Sequence, residues 1–262
     1  MRNRLSTVLA AFSLIAGVFA ASFVSAAEPT EAAKTSFNTA VEAAKAGNAT
    51  AAIAAYEEAI KASPDYLQAH INVGAIYYEQ GKLPEAANHL ESAIKLDSMN
   101  ADAYKNLGLV HTQAGAFDKA ATAFTRLNSI DAKAAASGWA ALGAAKKKKG
   151  DVPGAKSAYE TAVKLDPSDY KTLYNLGNIQ KDASQFDDAI ATYRKSIAAN
   201  PKYIEAYYNL AISSHQLDME NCVADYEAFL KVAQGSGKWK SKVTEVQGIV
   251  KQIKDYLAAK GE

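Results

Sequence analysis

Residues 136–169 read ASGWAALGAAKKKKGDVPGAKSAYETAVKLDPSD, and the spacing of a few residues in this stretch decides the fold. Trp139 and Leu142 lie three residues apart, a step that places both side chains on one face of an α-helix. Gly150 is typical of a helix end. Pro153 suits the first turn of a second helix, where the amide hydrogen that proline lacks would have no partner. The stretch therefore predicts two helices joined by a short turn.

The same landmarks recur along the chain with a period of 34 or 35 residues. Each second helix carries a small residue and, four residues later, a large one, a pattern typical of closely packed helices. Counterparts of the pair Leu142 and Gly143 are Thr39-Ala40, Val73-Gly74, Leu107-Gly108, Leu176-Gly177 and Leu210-Ala211, and the large positions are Tyr56, Leu90, Phe124, Tyr159 and Tyr193. Because a lone hairpin of this length cannot bury both of its apolar faces, the pattern predicts a stack of repeats whose large residues form the core.

These repeats resemble the tetratricopeptide family across about residues 33–232. The resemblance implies an all-α protein, a right-handed superhelical solenoid of antiparallel helix pairs whose first helices line a concave groove. The third hairpin carries one extra residue near 132–135, which allows a local kink. We expect six tetratricopeptide-like hairpins within residues 28–232, at about 33–66, 67–100, 101–135, 136–169, 170–203 and 204–232.

Residues 233–262 are expected to form a linker and a carboxy-terminal helix. The apolar residues of this helix recur at steps of three and four, which is typical of an amphipathic helix. They are Trp239, Val243, Val246, Val250, Ile253 and Leu257. Because the open end of a repeat array must be covered, we interpret the helix as a cap; binding to a membrane surface is the alternative.

The first 27 residues are interpreted as a secretory signal peptide. Arg2 and Arg4 precede an uncharged run, and small residues follow it up to Ala26 and Ala27, where we expect cleavage. An uncleaved anchor is the alternative, because about 20 apolar residues suffice to cross a bilayer. In either case the body of the protein would be exported, and we expect it in the periplasm or outside the cell.

The composition narrows the classes of function. The chain is 49% hydrophobic and 22% charged, which is ordinary for a globular protein. Without its first 27 residues it holds 27 basic and 28 acidic residues, a balance that gives no support to general nucleic-acid binding. The single cysteine, Cys222, has no partner for an internal disulfide and is expected to be buried and unreactive.

The expected groove carries a row of asparagines. A side-chain amide both donates and accepts hydrogen bonds, so such a row can pair with the backbone of an extended peptide whatever its sequence. The row stands at the sixth position of five hairpins and consists of Asn38, Asn72, Asn106, Asn175 and Asn209, while the fourth hairpin has Ala141 there. It resembles the asparagine ladder of some peptide-binding members of the family. Asparagine is also the commonest residue at this position in the family pattern, so a purely structural role is the alternative.

Aromatic and basic residues flank this row. Tyr174 and Tyr208 at the fifth position, and Tyr78 at the twelfth, are expected to face a partner. Packing against the next hairpin is the alternative. Lys147 and Lys148 would face or edge the groove, either to contact an acidic patch on a partner or as a solvated helix end. These residues and the asparagines together form the predicted partner-binding site.

No catalytic or metal-binding grouping stands out in the sequence. The four histidines, His70, His89, His111 and His215, lie in different repeats or helices without the spacing of metal ligands. No Ser-His-Asp or Cys-His arrangement is evident either. We therefore expect no enzyme activity, no metal and no cofactor.

The repeat array and the signal favour a non-enzymatic adaptor that binds a peptide or helix of a partner protein in its groove. Such an adaptor would assist assembly of a cell-envelope complex. Neither a nucleic-acid partner nor stable membrane insertion after signal cleavage is expected. The alternatives are a self-assembling scaffold, which would make the chain a homo-oligomer, and an accessory subunit of an envelope polysaccharide or cell-wall enzyme system.

Overall fold

The computed structural model describes residues 28–261, so the expected signal peptide lies outside the described residues. The described chain contains thirteen α-helices, one short 3-10 helix and no strand, which confirms the predicted all-α class. The helices are α1 (Glu31–Lys45), α2 (Ala49–Ala62), α3 (Leu67–Glu79), α4 (Leu83–Leu96), α5 (Ala101–Gln113), α6 (Phe117–Asn128), α7 (Ala132–Lys148), α8 (Val152–Leu165), α9 (Tyr170–Asp182), α10 (Phe186–Ala199), α11 (Ile204–Leu217), α12 (Val223–Ala233), a 3-10 turn (Gly237–Trp239) and α13 (Lys240–Lys260).

The chain divides into two compact units. Unit 1 ends at Gly138, and unit 2 begins at Trp139. Within unit 1, α1 packs on α2, α3 on α4 and α5 on α6, and neighbouring pairs contact each other. Within unit 2, the same holds for α9 with α10 and α11 with α12. Each unit is therefore a stack of helical hairpins.

Short turns separate the two helices of each pair. In the first four pairs the turn contains a glycine, Gly47, Gly81, Gly115 or Gly150, whose φ of 74° to 85° lies in the left-handed region that glycine adopts without strain. In the fifth pair Ser184 takes the same conformation, with φ of 59°. The sixth turn differs, because Asp218 is extended and its carboxylate accepts the backbone N–H groups of Glu220 and Asn221 at 2.9 and 3.1 Å. Asp218 thus stabilises a longer turn by side-chain hydrogen bonds.

In the second to fifth hairpins the large residue of the second helix fills the space above a glycine of the first helix. A Cβ at Gly177 would lie 2.7 Å from Cε1 of Tyr193, and one at Gly143 would lie 2.9 Å from Cδ1 of Tyr159. Distances this short leave no room for a side chain, so the helices approach closely only because glycine is present. The predicted large positions are accordingly all buried, with at most 2% of each residue exposed.

The third hairpin has a ring held between two glycines. A Cβ at Gly108 on α5 would lie 2.7 Å from Cδ1 of Phe124, and one at Gly138 on α7 would lie 3.0 Å from Cζ of the same ring. The extra residue of this hairpin falls at the start of α7, which has 17 residues where α3, α5 and α9 have 13. Phe124 is thus enclosed by helix backbone on two sides.

The carboxy-terminal helix α13 packs against the sixth hairpin. Val246, Val250 and Ile253 join a buried cluster that includes Cys222 and Phe229. The remaining residues of the predicted apolar stripe, Trp239, Val243 and Leu257, pack against the same cluster. The helix thus covers the apolar end of unit 2, as predicted for a cap.

Candidate functional site

Asn209 is the centre of a hydrogen-bonded cluster in unit 2. Its amide nitrogen, on α11, donates to Oδ1 of Asn178 on α9 at 2.7 Å and to the hydroxyl of Tyr174 at 3.1 Å. The hydroxyl of Tyr193, on α10, donates to the same Oδ1 of Asn178 at 2.7 Å. These bonds tie the first helices of the fifth and sixth hairpins together.

The cluster determines which amide atoms remain for a partner. Both amide hydrogens of Asn209 are used, which leaves its Oδ1 as an acceptor. Oδ1 of Asn178 already accepts two bonds, which leaves its Nδ2 as a donor. Both residues are half-buried, and neither remaining atom has a hydrogen-bond partner within residues 28–261. The pair therefore leaves an amide donor on Asn178 and a carbonyl acceptor on Asn209 unused, and a peptide C=O and N–H can pair with such groups.

Tyrosine rings form one wall of this cluster. The ring centroid of Tyr174 lies 5.1 Å from that of Tyr203 and 6.0 Å from that of Tyr193. Burial is the main cause that raises the pKa of Tyr193, and it raises the pKa of Tyr203 to about 12. These hydroxyls therefore keep their protons at physiological pH, so the hydrogen-bond pattern is not sensitive to pH there.

Tyr208, which precedes Asn209 on α11, belongs to the junction with the carboxy-terminal segment. Its ring centroid lies 5.3 Å from that of Phe229 and 5.6 Å from that of Trp239. Nζ of Lys242 stands 5.6 Å from the ring centroid, on α13. Tyr208 was expected to face a partner; the structure shows a half-buried ring that also packs on the next element.

The predicted residues of unit 1 form no comparable cluster. Asn38 on α1 is exposed, and Asn106 on α5 and Tyr78 on α3 are half-buried. Asn72 donates from Nδ2 to the hydroxyl of Tyr56 at 3.2 Å, so part of its hydrogen-bonding capacity is used within the protein. Unit 1 thus presents separate asparagines, whereas unit 2 presents a connected pair.

Four consecutive lysines, at residues 146–149, stand at the end of helix α7. Lys147 and Lys148 are exposed and lie in its last turn, where positive charge is favourable against the helix dipole. Lys146 instead forms an ion pair with Asp151, with 3.1 Å between Nζ and Oδ2. The position of Lys147 and Lys148 fits a solvated helix end, one of the two roles expected from the sequence.

Neither a role for Asn178 nor the contact between His70 and His89 was predicted from the sequence. Asn178 stands at the ninth position of the fifth repeat, which is a groove-facing position in the family pattern, so that position could have revealed it. His70 and His89, which are separate in sequence, lie with their Nδ1 atoms 3.2 Å apart. Within residues 28–261, however, no cluster of three or more His, Cys, Asp or Glu residues could hold a metal ion. No helix in that part of the chain is long and apolar enough to cross a bilayer.

Comparison with known protein families decides what the repeats are. Two profiles described as tetratricopeptide repeats match the chain, one over residues 74–115 and the other over 37–87, 140–204 and 174–218. Together they cover more than half of the chain. The chain belongs to the tetratricopeptide repeat (TPR) family. Proteins of this family are generally non-enzymatic interaction modules, and the TPR fold supports a role in protein–protein interaction.

The similarity to curated relatives covers only part of each relative's length. The BBSome complex member BBS4 of Bos taurus is 28% identical over 187 residues, which is 71% of this chain and 36% of that protein. The peroxisomal targeting signal receptor of Saccharomyces cerevisiae is 23% identical over 216 residues, 66% of this chain and 35% of the receptor. The chain thus spans about a third of the length of the curated relatives it matches.

Solved structures agree on the fold. The C-terminal part of a TPR repeat-containing protein from Cytophaga hutchinsonii gives a TM-score of 0.64 at 18% identity, covering 80% of this chain and 84% of that chain. YrrB, described as a TPR protein with an unusual peptide-binding site, gives a TM-score of 0.52 at 18% identity, covering 72% of this chain and 97% of that chain. At this level of identity the likeness establishes the TPR fold alone.

Proposed function

We propose that this protein is a non-enzymatic adaptor that binds an extended segment of a partner protein on the first helices of unit 2. The observation that carries the proposal is the pair of Asn178 and Asn209, which leaves one amide donor and one carbonyl acceptor unused. An extended peptide exposes the same two groups along its backbone, so recognition would depend little on the partner's side chains.

The neighbouring residues suit such a ligand. Asn175 is half-buried on the same helix as Asn178, and its side chain forms no hydrogen bond to any described residue. The rings of Tyr174 and Tyr203 are rigid because they pack edge to face. A pre-organised surface of this kind loses little conformational entropy on binding, which favours affinity.

Relatives with related names support a recognition role. The yeast peroxisomal targeting signal receptor is named as a receptor for a targeting signal, and YrrB is described by its peptide-binding site. The bovine BBS4 protein is named as a member of a complex. We extend to this chain only what these names share, which is the binding of another protein.

A pair of variants tests the groove of unit 2. Asn178→Asp keeps the Oδ1 that accepts from Tyr193 and Asn209 but replaces the unused amide donor by an acceptor. Asn175→Ala removes the amide of a second residue on the same helix. We expect the double variant to capture the partner from envelope extract about tenfold less well than wild type, as for the loss of about 1.4 kcal/mol of binding free energy. Immobilised protein and quantitative mass spectrometry supply the measurement.

The control makes the same chemical change away from the groove. Asn88 is exposed on α4, the second helix of its hairpin, and Asn88→Asp should leave capture unchanged. Light scattering of the wild type checks whether the captured protein is a second copy of this chain. Equal recovery of partners by the double variant and by wild type would remove this surface from the proposal.

We further propose that the adaptor acts in the cell envelope, since a basic start, an uncharged run and small residues precede Glu28. The expected result is a mature protein in the periplasmic fraction, or in the medium, that begins at Ala27 or Glu28. Amino-terminal sequencing of the fractionated protein provides the measurement. A cytoplasmic protein that still begins at Met1 would contradict export.

A further inference from the structure

Two histidines face each other inside unit 1. His70 on α3 and His89 on α4 have ring centroids 5.4 Å apart, and their Nδ1 atoms are 3.2 Å apart. His70 is 7% exposed, and the side chain of His89 is 20% exposed. At this distance one Nδ1 must carry a hydrogen and the other must accept it.

The partners of the two Nε2 atoms determine which tautomer of each histidine is present. Nε2 of His70 lies 3.0 Å from the carbonyl oxygen of Pro64, which only accepts, so this Nε2 carries a hydrogen. In the neutral pair Nδ1 of His70 is then the acceptor, and Nδ1 of His89 is the donor. Nε2 of His89 is consequently without a hydrogen, and it faces Oε1 of Glu57 on α2 at 3.8 Å.

The surroundings hold His89 in place. The ring of Tyr77 on α3 stacks on His89 with 5.6 Å between centroids, and its hydroxyl donates to Oε1 of Glu57 at 2.6 Å. Burial, with help from Glu57, raises the pKa of Tyr77 to about 12, so this donor persists. Lys82 stands over the ring of Tyr77 at 5.5 Å, and Glu85 acts on the same tyrosine. Among these groups, His70 and Glu57 are the charges that act on His89.

The pair accepts one extra proton more readily than two. A first proton on Nε2 of His89 points toward the Glu57 carboxylate and leaves the bond between the rings intact. A second proton must go to Nδ1 of His70, where two N–H groups would meet at 3.2 Å and the bond would be lost. In the unfolded chain each histidine takes a proton independently, near pH 6.5. The folded protein therefore binds fewer protons than the unfolded chain in mildly acidic solution.

We propose that the His70–His89 pair is an acid-sensitive latch that holds α3 against α4 within the second hairpin, on which α2 packs, and that it opens when both rings become protonated. Burial, followed by the charge of His70, lowers the pKa of His89, and Glu57 offsets only part of this. A lowered pKa of a base means stability that is complete above pH 6.5 and is lost as the pH falls below that value. The latch is independent of the proposed binding role of unit 2.

Histidine titration by NMR tests the latch directly, because the chain has only four histidines. In the full-length protein labelled with 15N-histidine, we expect the pair to take up its two extra protons in two macroscopic steps more than one pH unit apart. We also expect hydrogen exchange in α2, α3 and α4, corrected for its intrinsic pH dependence, to become faster as the pH falls through the second step. The acceleration should be about tenfold for each pH unit by which that step lies below pH 6.5. Exchange in α10 and α12 should not follow this change.

Variants separate the latch from general acid sensitivity. His89→Gln keeps a donor for His70 but removes one proton site, so the acid acceleration in α2 to α4 should disappear. Glu57→Gln removes the carboxylate that faces Nε2 of His89 and should therefore move the first step to lower pH. Because Glu57 is half-exposed, this variant can be used if His89→Gln folds poorly. His215→Gln, in unit 2, is the matched control and should leave the titration of the pair unchanged. The proposal would be overturned if both histidines took up protons independently near pH 6.5. It would also be overturned if the hydrogen-exchange rates of α2 to α4 did not change as the pH falls through the second step.

Discussion

Replacing Val246 by aspartate is expected to detach α13 from the sixth hairpin and expose Cys222 to thiol reagents. Val246 is fully buried in the cluster that also contains Cys222, Tyr226 and Phe229. An unpaired carboxylate in this position costs about 3 kcal/mol or more, and release of the helix into water relieves that cost. The cap should therefore open far more often than in wild type.

Cys222 reports that opening because it is the only cysteine of the chain. It is fully buried, its Sγ lies 3.1 Å from the carbonyl oxygen of Met219, and burial raises the pKa of its thiol. A change of about 3 kcal/mol corresponds to about a hundredfold faster labelling. Mass spectrometry during maleimide labelling gives the rate. Gln247→Asp, an exposed neighbour on the same helix, is the control, and equal rates for the two variants would show that α13 does not protect the sixth hairpin.

Phe124→Ala is expected to lower the free energy of unfolding of unit 1 by about 3 to 5 kcal/mol. The ring is fully buried between Gly108 and Gly138, which have no side chains to move into the space it leaves. Urea unfolding of the full-length protein, followed by circular dichroism, measures the loss. Leu96→Ala, at a position that is 37% exposed, is the control and should cost less than about 1 kcal/mol.

A second variant tests why the ring needs glycine. Gly108→Ala places a methyl group against Phe124, and overpacking of this kind costs about 1 to 3 kcal/mol. Adding Phe124→Leu should recover part of that loss, because leucine leaves more room than phenylalanine at the equivalent position of the second hairpin. A Cβ at Gly74 would lie 3.0 Å from Cγ of Leu90, whereas a Cβ at Gly108 would lie 2.7 Å from Cδ1 of Phe124. If Phe124→Ala were as mild as Leu96→Ala, the enclosure of the ring would not be what stabilises unit 1.

The framework of this protein could be predicted from its sequence because the signals are local. The step from a glycine of the first helix to the large residue of the second lies within one hairpin, as for Gly177 and Tyr193, and it recurs from the second hairpin to the fifth. The apolar stripe of α13 is also local, and its burial against the sixth hairpin follows from the period of the helix. Periodicity thus suffices for the helices and the core.

The groove was less accessible to sequence reasoning because its contacts join distant positions. Asn209 and Asn178 are 31 residues apart, and only the packing of α11 on α9 shows that Asn209 has already used its donors. Tyr208 meets Trp239 across a turn that the repeat pattern does not describe. His70 and His89 are 19 residues apart, a spacing that corresponds to no metal or catalytic motif. The position of a side chain in the repeat therefore indicates its face but not its partner.

The measurement that tests the central claim most directly is the affinity of the captured partner segment for purified wild type and for the variants of unit 2. Once mass spectrometry has identified the segment, its synthetic peptide can be titrated by isothermal calorimetry against wild type, Asn175→Ala/Asn178→Asp and Asn88→Asp. The account predicts that the double variant binds about tenfold more weakly while Asn88→Asp binds like wild type. Equal dissociation constants for all three proteins would contradict it.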